Sequence, residues 1–279
     1  MKIDNENLER LKKSSDDRGF GPDVHGQLEA NMKEGKPEFS LETYAGFEQD
    51  EMGYRLNYRK DNTKDYYYFN SIDAALLKNA EAPDEVREHR FYVDQKVTDE
   101  EMYRMLKYGP LVSVNKTLYS KEDKPYLAWL TLDTGRQKDE HGNYPVITSY
   151  ENDFKLGEFN LATELEKLSP HIKELADSRQ RQEVEMALKQ GYLVPVLATQ
   201  NGAEVEGYLS VNPIERRIDV LDGNLNVLQL QVTQVEQRAQ APQQRTVPPA
   251  QNQDDVKKKP GPRQRMNWPK NNRSKGMSR

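Results

Sequence analysis

The sequence predicts an α+β fold, with antiparallel β-hairpins and sheets backed by short helices in two modules and a disordered basic C-terminal tail. Three observations predict it. A helical apolar pattern ends at a glycine three times, and strand-like runs follow each time. Polar turn segments separate these runs, as in hairpins. Beyond about Leu230, Gln, Pro and Ala dominate and apolar periodicity ceases, so that segment buries too little surface to offset its chain entropy.

The pattern divides the chain into five segments. They are a flexible or helical N-terminus (1–17), a small α+β module (18–80), a connector (81–94), a second α+β module (95–225), and a disordered Gln/Pro-rich linker with a basic tail (226–279). The connector is assigned from its proline and its acidic residues, which interrupt the strand pattern.

The first module contains the first helix–glycine–hairpin cycle. Its helical face is formed by residues at i, i+4 and i+8, namely Val24, Leu28 and Met32. Gly35 is placed to end this helix. Strand-like runs follow at 39–45, 53–59 and 66–69.

The second cycle opens the second module. Thr98 and Glu101 have the spacing of a capping box, and the helix they start reaches Gly109. Strands are predicted at 111–118 and 126–132. The second of these is apolar on both faces, which predicts a central position in its sheet and a scaffold role.

The third cycle repeats this outline. A helix ends at Gly191, and strands are predicted at 192–198, 205–211 and 217–221. Asn201-Gly202 joins the first two of these strands, and both residues accept the positive φ of a type I′ turn. Each helix ends in the order apolar–Lys–x–Gly. A common C-cap chemistry and a true internal repeat both account for this likeness.

Composition indicates a cytoplasmic, soluble chain without a membrane span. The 279 residues include no cysteine, and the N-terminus lacks the apolar stretch of a secretory signal. The net charge of −5 hides a strong asymmetry. Residues 1–255 hold 32 basic and 46 acidic side chains, a net of −14, whereas 256–279 hold nine basic residues and no acid.

No motif predicts catalysis, a metal site or a cofactor. The four histidines (His25, His89, His141 and His171) are far apart and are expected at the surface or at helix ends. Residues 139–143 form the densest polar cluster, which we interpret as a long hairpin tip because it lacks the alternating ligands of a calcium loop. We therefore expect no enzyme.

Residues 66–69 form a distinctive aromatic run, Tyr-Tyr-Tyr-Phe. Strand alternation puts Tyr66 and Tyr68 on one face, with Tyr67 and Phe69 on the other. The first pair is interpreted either as a base-stacking surface or as ordinary cross-strand packing.

A partner is best indicated by the C-terminal tail. Its cations, with one embedded indole, are Lys257, Lys258, Lys259, Arg263, Arg265, Trp268, Lys270, Arg273, Lys275 and Arg279. Such a segment binds the phosphates of nucleic acid and releases their counterions, and this binding does not depend on the base sequence. Trp268 adds a side chain that can stack on a base. A solubilising tail, or one that folds back on the acidic body, remains the alternative.

Several stretches resemble a known family. They are 19–21, Leu28, 34–39, 67–70, 126–133, 139–144 and 274–278. Together they are similar to uncharacterised, domain-of-unknown-function proteins encoded by Bacteroides-type conjugative transposons, with a departure at 111–114. The resemblance implies a mobile-element context near DNA-processing genes such as a topoisomerase. It supplies no catalytic residues.

The sequence thus favours a non-enzymatic accessory protein of a mobile genetic element. Its α+β body would be a protein-binding platform, and its tail would bind nucleic acid weakly and without sequence choice. The alternative is an acidic adaptor or inhibitor that mimics nucleic acid and binds none itself.

Overall fold

Helices and antiparallel sheets make up the computed structural model, which describes residues 4–83, 85–153 and 155–229. This confirms the predicted α+β class. The helices of this part of the chain are α1 (Asn5–Asp16), α2 (His25–Glu34), α3 (Asp99–Tyr108), α4 (Leu161–Leu168) and α5 (Ser178–Lys189).

The strands of the same ranges pair only with antiparallel neighbours. They are β1 (Glu38–Phe47), β2 (Asp50–Lys60), β3 (Tyr67–Lys78), β4 (Arg87–Tyr92), β5 (Ser113–Tyr119), β6 (Pro125–Leu132), β7 (Val146–Tyr150), β8 (Asn152–Asp153), β9 (Gly157–Glu158), β10 (Val194–Gln200), β11 (Ala203–Asn212) and β12 (Arg217–Leu221). Their sheets have the orders β1-β2-β3-β4, β5-β6-β7, β10-β11-β12 and β8-β9.

The four-stranded sheet buries one face under α1 and α2. Alternate residues of β2 (Met52, Tyr54, Leu56 and Tyr58) are buried in one cluster with Leu11 and Leu28 of the two helices. The N-terminal segment is helical, and its Asn7 side chain is tied to the first residue of β3. Asn7 Nδ2 donates to the Tyr67 carbonyl at 3.0 Å, and Tyr67 N donates to Asn7 Oδ1 at 2.7 Å.

Strand β4 lies inside 81–94, the segment predicted as a connector. It pairs with β3, which places His89 opposite Ala74 and Phe91 opposite Ile72 on the buried face. His89 is only 3% exposed and makes an edge-to-face contact with Phe91 at 4.6 Å. The expectation of a surface or helix-end position is therefore wrong for His89. Burial of alternate residues overrides the polar composition of this segment.

Strand β6 is the centre of its sheet, as predicted. All five residues from Ala128 to Leu132 are buried. Leu130 packs into the cluster that contains the four-stranded sheet, whereas Trp129 packs into a second cluster formed with α4, α5 and the third sheet. The sheet β5-β6-β7 is thus covered on both faces.

The third sheet confirms the predicted Asn-Gly turn. Gln200 pairs with Ala203, and the two residues between them have φ values of 52° and 82°. Positive φ at both positions matches the twist of the flanking strands. After β12, Leu228 N donates to the Val220 carbonyl at 2.7 Å, so the first residues of the predicted disordered linker, 226–229, are ordered.

The predicted helix–glycine–hairpin outline is present three times. Gly35 ends α2 in the left-handed region, and Gly191 follows α5 with φ 78°. Gly109 differs, because its φ of 56° and ψ of −128° start a short 3₁₀ turn instead of a left-handed C-cap. A true internal repeat stays a prediction.

Residues 1–230 form one compact unit. The division into modules 18–80 and 95–225 stays a prediction. The rest of the predicted linker and tail, from 230 to 279, lies outside the described residues. None of the helices in the described ranges is long and apolar enough to cross a membrane.

Candidate binding site on helix α3

A cleft of about 340 Å³ lies beside α3. We call it the aromatic cleft and define it by its lining residues: Phe47 from the end of β1, Glu48 from the β1–β2 turn, Glu100, Tyr103, Arg104 and Tyr108 from α3, and Tyr192 with Leu193 from the segment before β10. Four of these eight residues are aromatic and three are charged. The volume is at the lower end of the roughly 300–1,000 Å³ of small-ligand sites.

Helix α3 positions half of the lining residues. Its N-terminus is fixed by the predicted capping box, in which Glu101 N donates to Thr98 Oγ1 and Thr98 N donates to Glu101 Oε2. Residues 100, 104 and 108 are spaced by four, so Glu100, Arg104 and Tyr108 lie along one side of the helix. The cleft therefore follows about two turns of α3.

The β1–β2 turn closes one end of the cleft. Phe47 stacks on Tyr103 with ring centroids 4.4 Å apart and planes 8° from parallel. Glu48 follows with φ 54°, a left-handed conformation that turns the chain between the two strands. Its side chain is exposed, and no hydrogen bond or ion pair to it is found within the described ranges.

The opposite wall depends on the glycine after α5. A side chain at Gly191 would place its Cβ 2.9 Å from Val114 Cγ1, and the φ of 78° disfavours any other residue. Gly191 thus lets the chain pass close to β5 and brings Tyr192 over α3. There the Tyr192 hydroxyl donates to Glu100 Oε2 at 2.9 Å.

Arg104 joins α3 to this wall. Its guanidinium carbon lies 3.7 Å from the centre of the Tyr192 ring. Its Nε and Nη2 donate to the Gln190 carbonyl at 3.1 and 2.9 Å, and Nη1 donates to Glu100 at 3.2 Å. The Tyr192 hydroxyl and the Arg104 guanidinium together hold the pKa of Glu100 below its usual range. Glu100 is therefore ionised and neutralises Arg104.

Beneath the cleft, three polar side chains meet in a buried network. Asp50 Oδ2 accepts from the Tyr103 hydroxyl at 2.8 Å and lies 3.0 Å from Lys107 Nζ. Asp50 Oδ1 accepts from Ala80 N at 2.7 Å. Burial raises the pKa of Asp50, but the bonds from Ala80, Lys107 and Tyr103 outweigh it and lower the pKa.

The charge of Lys107 is held in place by this network. Burial lowers the pKa of Lys107, but the Asp50 carboxylate and the Tyr103 hydroxyl raise it well above its usual range. Burial and the hydrogen bond to Asp50 likewise raise the pKa of the Tyr103 hydroxyl. Neither side chain is therefore suited to proton transfer near neutral pH. The network fixes Tyr103 from below.

A second groove, of about 550 Å³, shares Glu100 and Arg104 with the aromatic cleft. Lys116 Nζ lies 2.5 Å from Glu101 Oε2 in this groove, and Met186 is 59% exposed there. The charged side chains that line this groove form ion pairs with other residues of the chain. The aromatic cleft is therefore the stronger candidate for a binding site.

The predicted aromatic pair lies elsewhere. Tyr67 and Phe69 are buried, while Tyr68 is 42% exposed, which confirms the predicted alternation. Tyr66 and Tyr68 form an edge-to-face pair at 5.1 Å, with the Arg10 guanidinium 4.9 Å from the Tyr66 ring centre. They flank the end of β2 that is opposite to the cleft, roughly 30 Å away along the strand. Base stacking by this pair stays a prediction.

The other predicted site residues, from Lys257 to Arg279, lie outside the described residues. Within the described ranges, His, Asp and Glu side chains form no group of three that could hold a metal ion. Residues 139–143 form a hydrogen-bonded turn, in which Asp139 Oδ1 accepts from His141 N and Asn143 N. This confirms the interpretation as a loop tip.

Sequence reasoning missed the aromatic cleft because its residues come from three distant segments. Residues 47 and 103 are separated by the whole of β2, β3 and β4. The available signal was the four-residue spacing of an acid, an arginine and a tyrosine on α3. No family model matches the chain, and neither a curated protein nor a solved structure matches it.

Proposed function

We propose that this chain is a non-enzymatic binding protein. Residues 1–230 would hold a partner polypeptide, and the basic tail would contact nucleic acid weakly and without sequence choice. The observation that carries the proposal is the segregation of charge, with a net of −14 over residues 1–255 and nine cations without an acid over 256–279. A cationic segment gains affinity for phosphates through counterion release, whereas the acidic body gains none.

The state of the charged side chains supports a binding role over catalysis. Three of the buried carboxylates are paired with a cation of the same chain, in Lys107–Asp50, Lys116–Glu101 and Arg90–Asp73. Such pairs stabilise a conformation and fix their partners, but they do not supply a nucleophile with an adjacent base. The rigid surface that results is suited to recognition.

The proposal includes a biological context. We infer a mobile-element accessory protein of the cytoplasm, and the support is the resemblance of stretches such as 126–133 and 139–144 to Bacteroides-type conjugative transposon proteins. Its partner would then be another mobile-element protein, for example one that processes DNA. Association with such a protein would bring the basic tail close to its DNA.

Fluorescence anisotropy with a short labelled DNA duplex tests the tail. The full chain is compared with a chain that ends at Leu230, in salt from about 50 to about 200 mM. We expect binding by the full chain only, with a slope of log affinity against log salt of at most about 8. Equal binding by both chains, or binding by neither, would overturn the role of the tail.

A matched pair of variants sharpens this test. Replacement of Lys257, Lys258 and Lys259 by Gln is expected to reduce the salt slope by about 3. The same change at Lys121, Lys124 and Lys155, which are exposed on the compact unit, is expected to leave the slope unchanged.

The acidic body favours a second candidate, an adaptor or inhibitor that mimics nucleic acid. The net charge of −14 over residues 1–255 is its support. In that case neither chain binds DNA, and both displace DNA from a cationic partner. Displacement by the chain that ends at Leu230 would favour this candidate over the first.

A further inference from the structure

We propose that the aromatic cleft binds the arginine side chain of a partner polypeptide. This inference rests on the protein-binding half of the proposed function, and it names the chemistry of the partner. Three features of the described residues carry it: an internal arginine already held by the same chemistry, an acid without a partner, and a second aromatic wall.

The first feature is Arg104. Its guanidinium lies over the Tyr192 ring, pairs with the Glu100 carboxylate and donates to the Gln190 carbonyl. Aromatic faces attract cations through their quadrupole, and a planar guanidinium adds stacking. One wall of the cleft therefore already satisfies an arginine by ring, carboxylate and carbonyl together.

The second feature is the charge that remains. Glu100 and Arg104 neutralise each other at 3.2 Å, and Lys107 is neutralised by Asp50 beneath the cleft. Glu48, at the mouth, is left with no hydrogen bond or ion pair within the described ranges. The cleft thus has an unbalanced negative charge, which attracts a cation and repels a carboxylate or a phosphate.

The third feature is the second aromatic wall. Tyr103 and Phe47 stack on each other and so form a flat apolar surface, and Tyr108 stands beside them. Burial raises the pKa of the Tyr108 hydroxyl, so this ring stays neutral. A side chain that enters the cleft would lie against Tyr108 with its charge directed at Glu48.

The rigid base of the cleft favours binding. Tyr103 is fixed by Asp50, Arg104 by Gln190, and Tyr192 by Glu100, so few side chains need to be ordered when a ligand arrives. Arginine fits better than lysine because its delocalised charge is weakly hydrated and stacks on rings, whereas an ammonium is a compact and strongly hydrated charge.

The test is an NMR titration of the isotope-labelled full chain. The probes are three acetylated and amidated tripeptides, Gly-Arg-Gly, Gly-Lys-Gly and Gly-Gln-Gly. We expect saturable shifts for the arginine peptide, centred on the amides of Glu48, Tyr108 and Tyr192, with weaker binding of the lysine peptide and none of the glutamine peptide. Equal binding of all three, no saturation, or shifts centred elsewhere would overturn the proposal. Equal binding of the lysine and arginine peptides would overturn the arginine assignment.

Variants locate the site. Glu48→Gln keeps the size of the side chain and is expected to lower the affinity for the arginine peptide about two- to fivefold. Tyr108→Leu keeps an apolar group and removes the ring, with an expected loss of about two- to fivefold. Glu206→Gln makes the same charge change at an exposed position of strand β11 and is expected to have no effect. Unchanged affinity in Glu48→Gln would count against the proposal even if Tyr108→Leu does not fold.

Failure of this inference is distinguishable from failure of the proposed function. The salt-dependent DNA binding assigned to the tail is expected to be the same in Glu48→Gln as in the unaltered chain. If the unaltered chain bound DNA but showed no saturable binding of the arginine peptide, only the assignment of the cleft would be overturned.

Discussion

Lys107 Nζ lies 3.0 Å from Asp50 Oδ2, and both side chains are buried, with 7% and 1% of their surface exposed. The two residues come from α3 and from the first position of β2, so the pair ties the helix to the four-stranded sheet. A buried ion pair adds little net stability over an apolar pair, but removal of Asp50 would leave the buried Lys107 ammonium with only the exposed Glu81 carboxylate, 3.5 Å away.

We therefore expect Asp50→Asn to lower the free energy of unfolding by about 3 kcal/mol. Urea denaturation at neutral pH checks this, with an unchanged m-value as the sign that the unfolded state is unaffected. The double variant Asp50→Asn/Lys107→Met also removes the charge of Lys107 and should recover most of the lost free energy of unfolding. If the double variant were as unstable as the single one, charge compensation would not be the cause.

The same pair predicts a dependence on pH. The folded-state pKa of Asp50 is lowered, so its contribution to stability is present above its unfolded pKa of about 3.9 and is lost as the pH falls through the folded value. The stability difference between the unaltered chain and Asp50→Asn should therefore shrink below about pH 4. Urea midpoints measured from neutral to acidic pH check this, and a constant difference would contradict it.

A third prediction concerns Gly19. It has φ 88°, and a methyl group there would overlap the Asp99 carboxylate at the start of α3. Gly19→Ala should destabilise the protein by about 2 kcal/mol, through strain and through displacement of Asp99. Gly26→Ala is the matched control, because Gly26 is helical and open space surrounds it. It should stabilise by about 0.5 kcal/mol. Thermal melts of both variants check the opposite signs.

The fourth prediction uses the two tryptophans. Trp129 is fully buried in β6, and Trp268 belongs to the predicted basic tail. If the tail stacks on nucleic acid, single-stranded DNA should quench part of the fluorescence in the full chain, and Trp268→Phe should abolish that quenching. The chain that ends at Leu230 retains Trp129 and should show no quenching. Quenching that persists in Trp268→Phe would contradict the stacking role.

Local chemistry explains what the sequence predicted well. Gly35 and the turn at Asn201-Gly202 adopt positive φ, which few residue types other than Gly and Asn accept. The residue types alone therefore predict a helix end at Gly35 and a tight hairpin turn at 201–202. The apolar composition of 126–132 on both faces likewise indicates a central strand, and β6 is one. Each of these signals depends only on neighbouring residues.

Pairing between distant segments explains what the sequence did not predict. Strand β4 contains two arginines, a glutamate and a histidine, and it forms a strand because β3 offers an edge and a buried place for Phe91. The aromatic cleft depends on the same kind of long-range relationship. Phe47 and Tyr103 are in contact there, but the sequence around each residue does not predict this contact.

The position of β6 has a consequence for how the protein unfolds. Neighbouring residues of this strand, Trp129 and Leu130, belong to different hydrophobic clusters. If either cluster unfolded alone, the strand would lose its contacts on one face while its other face was still packed. A register shift of one residue would move each side chain of the strand to the opposite face. We therefore expect both clusters to unfold together in a single cooperative transition. The five buried residues 128–132, which contact both clusters, are the structural cause of this coupling.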